Sequence, residues 1–212
     1  MGKLLYLLFI TLYPFFARVF SLFNKKAALW VKGRHHIMDH IVFNSQRDPA
    51  KKIWVHCASL GEFEQGRPLI EALKHTYPTY KILLTFFSPS GYEVQKGYKG
   101  ADYIFYLPMD SFKAVRRFYD SVQPRLVVFI KYEFWYYYLE EAKKRNIPLL
   151  LVSGIFREDQ PFFKSYGAFR PPPVYFTGRN RTALPFRLLI IHAYGRPQEQ
   201  YRLTDDTGKV RF

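Results

Sequence analysis

A parallel α/β sheet with helices on both faces is the fold predicted for residues 50–153. Three observations carry it. Short apolar runs alternate with amphipathic ones. The apolar runs are continuous and do not alternate with polar residues, as strands covered on both faces require. The amphipathic stretches between them repeat at helical spacing.

The elements follow in order. "KIWVHC" (52–57) is the first strand, followed by a turn and a helical pattern through Leu69, Ile70 and Leu73. "YKILLTFF" (80–87) is the second, broken by "SPSG" ahead of a short polar helix. "DYIFYLP" (102–108) is the third. "SFKAVRRFYDSV" (111–122) is a helix with Phe112, Val115, Phe118, Tyr119 and Val122 on one face. "RLVVFIKY" (125–132) is the fourth strand. "FWYYYLEEAKKRN" (134–146) is a helix with a basic last turn, which the helix dipole favours. "PLLLVS" (148–153) is the fifth strand. Ligands of such sheets sit beyond the carboxyl ends of the strands. The informative positions are therefore Ser59–Glu62, Ser88–Gly91, Pro108–Asp110, Lys131–Glu133 and Ser153–Arg157.

Ahead of the sheet, residues 4–23 read "LLYLLFITLYPFFARVFSLF", with Arg18 the only charge. About 20 helical residues span roughly 30 Å, the thickness of a hydrocarbon core. A single membrane anchor or a deeply inserted interfacial helix is expected over residues 1–30, with Pro14 kinking it. A secretory signal would want a small-residue cleavage site, and bulky residues followed by Asn24, Lys25 and Lys26 argue against one. A buried core helix is the other reading. The flank Lys25, Lys26, Lys32 and Arg34 predicts that the following domain lies on the cytoplasmic side.

Composition narrows the partners. The 212 residues are 49% apolar, which excludes a disordered chain. A formal net charge of +15 points to an anionic partner: nucleic acid, an acidic membrane surface or a phosphorylated substrate. The basic residues are scattered and not grouped on one helix or interleaved with stacking aromatics, so nucleic acid is not expected. One cysteine, Cys57, allows no internal disulfide. The six histidines show no metal-ligand spacing, and His35, His36 and His40 are expected to be solvated or interfacial. No metal and no cofactor is assigned, and no P-loop or Gly-x-Gly-x-x-Gly loop is present.

Ser59-Leu60-Gly61-Glu62 has the Ser-x-x-Glu spacing of a capping box, which explains both residues without chemistry. The same position, just after the first strand, would suit a general base, with Gly61 letting a ligand or another backbone come close. Ser88, Ser90 and Gly91 form either an ordinary turn or a helix start whose amides hold an anion. Glu133 is either a solvated partner of Lys131 or a second polar group facing the cleft of Glu62.

Taken together, "HCASLGEFEQGRPLIEAL", "LLTFFSPSGYE", "YLPMD" and "RLVVFIKYEFWYYYLEEAKKRNIPLLLVSGIF" resemble the 3-deoxy-D-manno-octulosonic acid (Kdo) transferases, bacterial lipopolysaccharide enzymes. The order and spacing of the blocks agree, over roughly residues 1–166. The resemblance implies the N-terminal, Rossmann-like, acceptor-binding half (31–166) of a two-domain glycosyltransferase of the GT-B type. In that family the first domain holds the lipid A precursor and the second holds CMP-Kdo. It implies an inverting displacement without a metal at the cytoplasmic face of the inner membrane, with membrane lipids as a further partner. Glu62 falls on the family's base. Lys131, Glu133 and Trp135 fall on its Lys-x-Glu-x-Trp block, and Ser88–Gly91 on its Ser/Thr-Pro-Ser/Thr-Gly turn. Ser59, Gly61, Ser88, Ser90, Gly91, Lys131 and Glu133 are thus expected on the acceptor side. A non-catalytic, membrane-associated glycolipid-binding module is the alternative.

The likeness is expected to stop near Gly167. Residues 1–166 contain 9 Arg and 15 Lys, and residues 167–212 contain 7 Arg and 1 Lys. A change of reading frame would shift basic usage in this way; a divergent natural tail is the other reading. A truncated chain lacking the donor-binding domain, with little or no transfer activity, is the corresponding expectation.

Overall fold

The computed structural model describes residues 2–131, 135–152 and 188–191. Three helices come first: α1 (Gly2–Phe20), α2 (Lys25–Gly33) and α3 (Ile37–Ser45). Then strands and helices alternate: β1 (Lys52–Cys57), α4 (Leu60–Thr76), β2 (Lys81–Phe86), α5 (Pro89–Gln95), β3 (Tyr103–Tyr106), α6 (Phe112–Val122), β4 (Pro124–Ile130), α7 (Tyr136–Lys144), β5 (Leu149–Val152) and β6 (Leu188–Ile191).

All strands pair in parallel, in the order β3-β2-β1-β4-β5-β6. The five predicted strands are present within one or two residues of their expected ends. β6 is an addition. No strand is predicted in the tail after residue 166, yet Leu188–Ile191 pairs with β5. A four-residue apolar run next to prolines and arginines gave no periodicity from which to place it.

Successive strand residues point to opposite faces, and the core divides accordingly. On one face Trp54, Leu83, Val127, Phe129 and Leu151 pack with Ile41 of α3, Phe118 of α6 and Leu139 of α7. On the other, Val55, Leu84, Val128 and Val152 pack with Phe63 and Ile70 of α4. Trp54 lies at the centre of an aromatic cluster, 4.7 Å from Phe118, 5.2 Å from Tyr138 and 5.3 Å from Phe129. Its indole donates to Thr85 Oγ1 at 2.8 Å, so a large ring is buried without an orphan N–H.

Two local expectations change. Phe112 was placed on the buried face of its helix, but it is half exposed as the first residue of α6. Arg34, one of the flank charges expected to hold the domain on the cytoplasmic side, turns its guanidinium into the domain.

Among the described residues no helix is long and apolar enough to cross a membrane. α1 is nonetheless two-sided. Ile10 is buried, and Tyr13 packs on Trp30 at 5.2 Å and Phe87 at 5.9 Å. Leu4, Leu8, Phe15, Phe16 and Phe20 are exposed on the remaining surface.

Candidate functional site at the carboxyl edge of the sheet

β1 and β4 are neighbours, and the strand order reverses between them. Such a reversal leaves a crevice outside the carboxyl ends of those two strands, where ligands of open α/β sheets bind. The chain leaving β1 carries Ser59–Glu62, and the chain leaving β4 begins with Lys131.

Glu62 occupies the third position of α4. Its Oε2 accepts from the Ser59 backbone N–H at 3.0 Å, completing a reciprocal capping box with Ser59. The side chain is partly exposed and not packed inside the domain. The capping role is therefore real, and it also fixes the carboxylate at the rim of the crevice. Gly61 is exposed, and a Cβ built on it would meet no atom within 4 Å. Among the described residues no backbone requires the glycine, and in a helix Ala is favoured over Gly by about 1 kcal/mol. Gly61→Ala is thus expected to raise stability by about 0.5–1 kcal/mol in urea unfolding. If the same variant weakens glycolipid binding, the approach that needs a glycine is made by ligand.

The exit of β2 is tied to that of β1 by a bond from Ser88 N to Ala58 O at 2.7 Å. Ser88 caps α5, its Oγ accepting from Ser90 N at 3.3 Å and lying 3.0 Å from Ser90 Oγ. Gly91 has a packing reason, since a Cβ there would come within 2.3 Å of the Phe86 ring.

Lys131 is partly exposed and has φ 65°, in the left-handed region. The other non-glycine residues of this kind among the described ones, His36, Gln123 and Asn146, flank helix ends. Lys131 instead terminates a strand, its N–H bonded to Val152 O at 2.8 Å. A lysine there costs roughly 1–2 kcal/mol, and such strain gathers at functional positions. Trp135 stands at the start of α7 with its ring 4.9 Å from Phe87. Glu133 and Ser153–Arg157 lie outside the described residues.

The sequence reading passed over the groups that hold these loops. Arg34 Nη2 donates to Phe87 O at 2.8 Å and its Nε to Leu107 O at 3.1 Å. One guanidinium thereby grips the chain just after β2 and just after β3. It stacks over Trp30 at 4.0 Å, Phe87 at 4.7 Å and Tyr106 at 4.9 Å. Burial lowers its pKa to about 9, which still leaves it cationic at neutral pH.

Asp110 is fully buried. Its carboxylate accepts from Tyr137 N and Tyr138 N, each at 3.0 Å, and from the Tyr6 hydroxyl of α1. Burial raises the carboxyl to about 6 from an ordinary 3.8, against the pull of these hydrogen bonds. The folded protein therefore holds this proton more tightly than the unfolded chain does. The contribution to stability is present in full below about pH 4 and is lost as pH rises through about 6. Relative to Asp110→Asn, the wild type is expected to lose about 2–3 kcal/mol between pH 4 and pH 7 in urea unfolding. A flat difference would show that the carboxyl titrates normally.

At the opposite end of the sheet, a cavity of about 420 Å³ is lined by Ser45, Lys52, Gln123 and Arg125 among others. No residue of the expected site lines it.

The family model described as 3-deoxy-D-manno-octulosonic-acid transferase (kdotransferase) matches residues 31–177. The match starts after α1 and runs past Gly167, where the likeness was expected to stop. A 3-deoxy-D-manno-octulosonic acid transferase of Haemophilus influenzae is 32% identical over 112 residues, 52% of this chain and 26% of that protein. One from Aquifex aeolicus is 37% identical over 84 residues, 39% of this chain and 23% of that protein. A bifunctional glycosyltransferase/methyltransferase of Fusobacterium nucleatum is 28% identical over 105 residues, 48% of this chain and 16% of that protein. The chain thus spans about a quarter or less of the length of these curated relatives.

Proposed function

The chain belongs to the 3-deoxy-D-manno-octulosonic-acid transferase family through its N-terminal domain, and from that premise we propose that its sheet edge is the acceptor side of a Kdo transfer site. The reaction moves Kdo from CMP-Kdo to a lipid A precursor (lipid IVA) in lipopolysaccharide biosynthesis. An acceptor hydroxyl oxygen bonds to the anomeric carbon of Kdo as the bond from that carbon to CMP breaks. The configuration inverts, and Glu62 takes the hydroxyl proton. No metal is invoked. The observation that carries this reading is Glu62 itself, a partly exposed carboxylate held at the rim of the strand-order reversal by its own helix cap.

The remaining residues have roles consistent with it. Lys131, across the reversal from Glu62, supplies a cation for a phosphorylated sugar, and Glu133 is a second polar group for the acceptor. Ser59, Gly61, Ser88, Ser90 and Gly91 form the small-residue rim that lets the glycolipid come close. CMP-Kdo is met by a second, nucleotide-binding body in a GT-B arrangement. α1 lies in the cytoplasmic interface of the bacterial inner membrane. Its exposed Leu4, Leu8, Phe15 and Phe20 face acyl chains, and exposed Arg18, Lys25 and Lys26 meet anionic headgroups.

Titration of the lipid A precursor in detergent micelles into this chain tests the acceptor reading. Binding that weakens about tenfold in Lys131→Gln is expected, one lost charge-assisted contact being worth roughly that. Equal affinity in wild type and Lys131→Gln would remove Lys131 from the cleft. A non-catalytic glycolipid-binding module would bind as well as the enzyme and be indifferent to Glu62→Gln in every assay.

A further inference from the structure

We infer that Tyr6 is a positioning residue of the acceptor cleft: its hydroxyl, seated on the Asp110 carboxylate, holds the first turn of α7 and with it Trp135, four residues after Lys131. This rests on the reading of Lys131 as acceptor-facing. It makes α1 part of the wall of the cleft as well as a lipid-facing helix.

The argument starts from the amides of α7. A helix start exposes N–H groups with no partner inside the helix. Trp135, the residue preceding α7, supplies no side-chain cap. The work is done from far away in sequence. Tyr138 N bonds Asp110 Oδ1 and Tyr137 N bonds Asp110 Oδ2, both at 3.0 Å. Tyr136 N bonds the Tyr6 hydroxyl at 3.3 Å, and that hydroxyl donates to the same Asp110 Oδ2. Three successive amides are thus covered by one carboxylate and one phenol. A second contact runs parallel to the first. Tyr13, two helical turns along α1, packs on Phe87, and Phe87 packs on Trp135. α1 therefore braces the exit of β2 just before Ser88 and Trp135 at the start of α7. Tyr6→Phe keeps the ring and removes the bond to Tyr136 N, so the turn should open locally while the sheet stays closed.

Amide hydrogen exchange of the full chain tests this in Tyr6→Phe, Asp110→Asn and the double variant. Exchange at Tyr136–Tyr138 is expected to speed up about tenfold or more in Tyr6→Phe, with β1 and β4 amides unchanged. The double variant should exchange there no faster than Asp110→Asn, since the two groups act as a unit. A uniform acceleration of all slow amides would mean a general packing role and overturn the inference. Affinity for lipid A precursor micelles should fall about tenfold in Tyr6→Phe, which unchanged affinity would contradict. Binding to vesicles of phosphatidylethanolamine and phosphatidylglycerol should be unaltered, because Tyr6 faces the domain. Lost vesicle binding would assign the effect to the membrane and also overturn it. If the wild type binds no precursor, the acceptor reading fails, and the exchange data alone decide whether Tyr6 holds α7.

Discussion

Where this domain works together with a nucleotide-binding one, Glu62→Gln is expected to lower Kdo transfer by about 10²–10⁴-fold, the usual worth of a positioned general base. The loss should fall on the rate and not on the affinity for the acceptor. The physical argument lies in the cap. Oε2 of Glu62 accepts from Ser59 N at 3.0 Å, and a glutamine oxygen can accept the same bond. The helix start survives, and the change in stability should stay within about 1 kcal/mol, the range of a cap residue. A group that only caps would therefore leave transfer nearly untouched. The assay is release of CMP from CMP-Kdo with the lipid A precursor as acceptor, on the protein in membranes of cells expressing its gene, with binding of the precursor followed in parallel. Transfer reduced less than tenfold would return Glu62 to a purely structural role.

The second large effect is on stability. Replacing Arg34 by lysine is expected to cost about 3–5 kcal/mol, nearly as much as replacing it by alanine. Each lost charge-assisted bond is worth roughly 1.5–3 kcal/mol, and the stacked rings add about 0.5–2 kcal/mol. Lysine does not restore these contacts. An ammonium cannot reach Phe87 O and Leu107 O from one planar fork, and it does not stack flat on Trp30 and Phe87. Lys32→Ala, an exposed charge two residues away, should change stability by no more than about 0.5 kcal/mol. Urea unfolding of the three variants measures this. If Arg34→Lys lies within 1 kcal/mol of the wild type, the fork geometry is not what holds the two strand exits.

These residues explain what the sequence could and could not reveal. The five strands within residues 52–152 were legible because each is a continuous apolar run closed by small or polar residues. A parallel strand buried on both faces has that pattern alone. Glu62 was legible as a position, because the Ser-x-x-Glu spacing and the end of β1 coincide. α3 was not legible. Its first residue follows His36 in the left-handed region with no side-chain cap, so no start signal marks it. β6 was hidden by its shortness and by its distance from β5. Arg34 reads in "KGRHH" as one more surface cation. Its carbonyl partners lie 53 and 73 residues away, and Tyr6 lies 104 residues from Asp110. No local period reports contacts of that range, and only the closing of the sheet brings them together.

The central claim is that the carboxyl edge of β1 and β4 receives a phosphorylated glycolipid. Amide chemical-shift mapping of this chain titrated with the lipid A precursor in micelles, referenced to empty micelles, tests it most directly. The account predicts the largest shifts at Ser59–Glu62, Ser88–Gly91 and Lys131, with Gln123 and Arg125 still. Shifts centred on the cavity of Ser45, Lys52, Gln123 and Arg125, at the other end of the sheet, would contradict it.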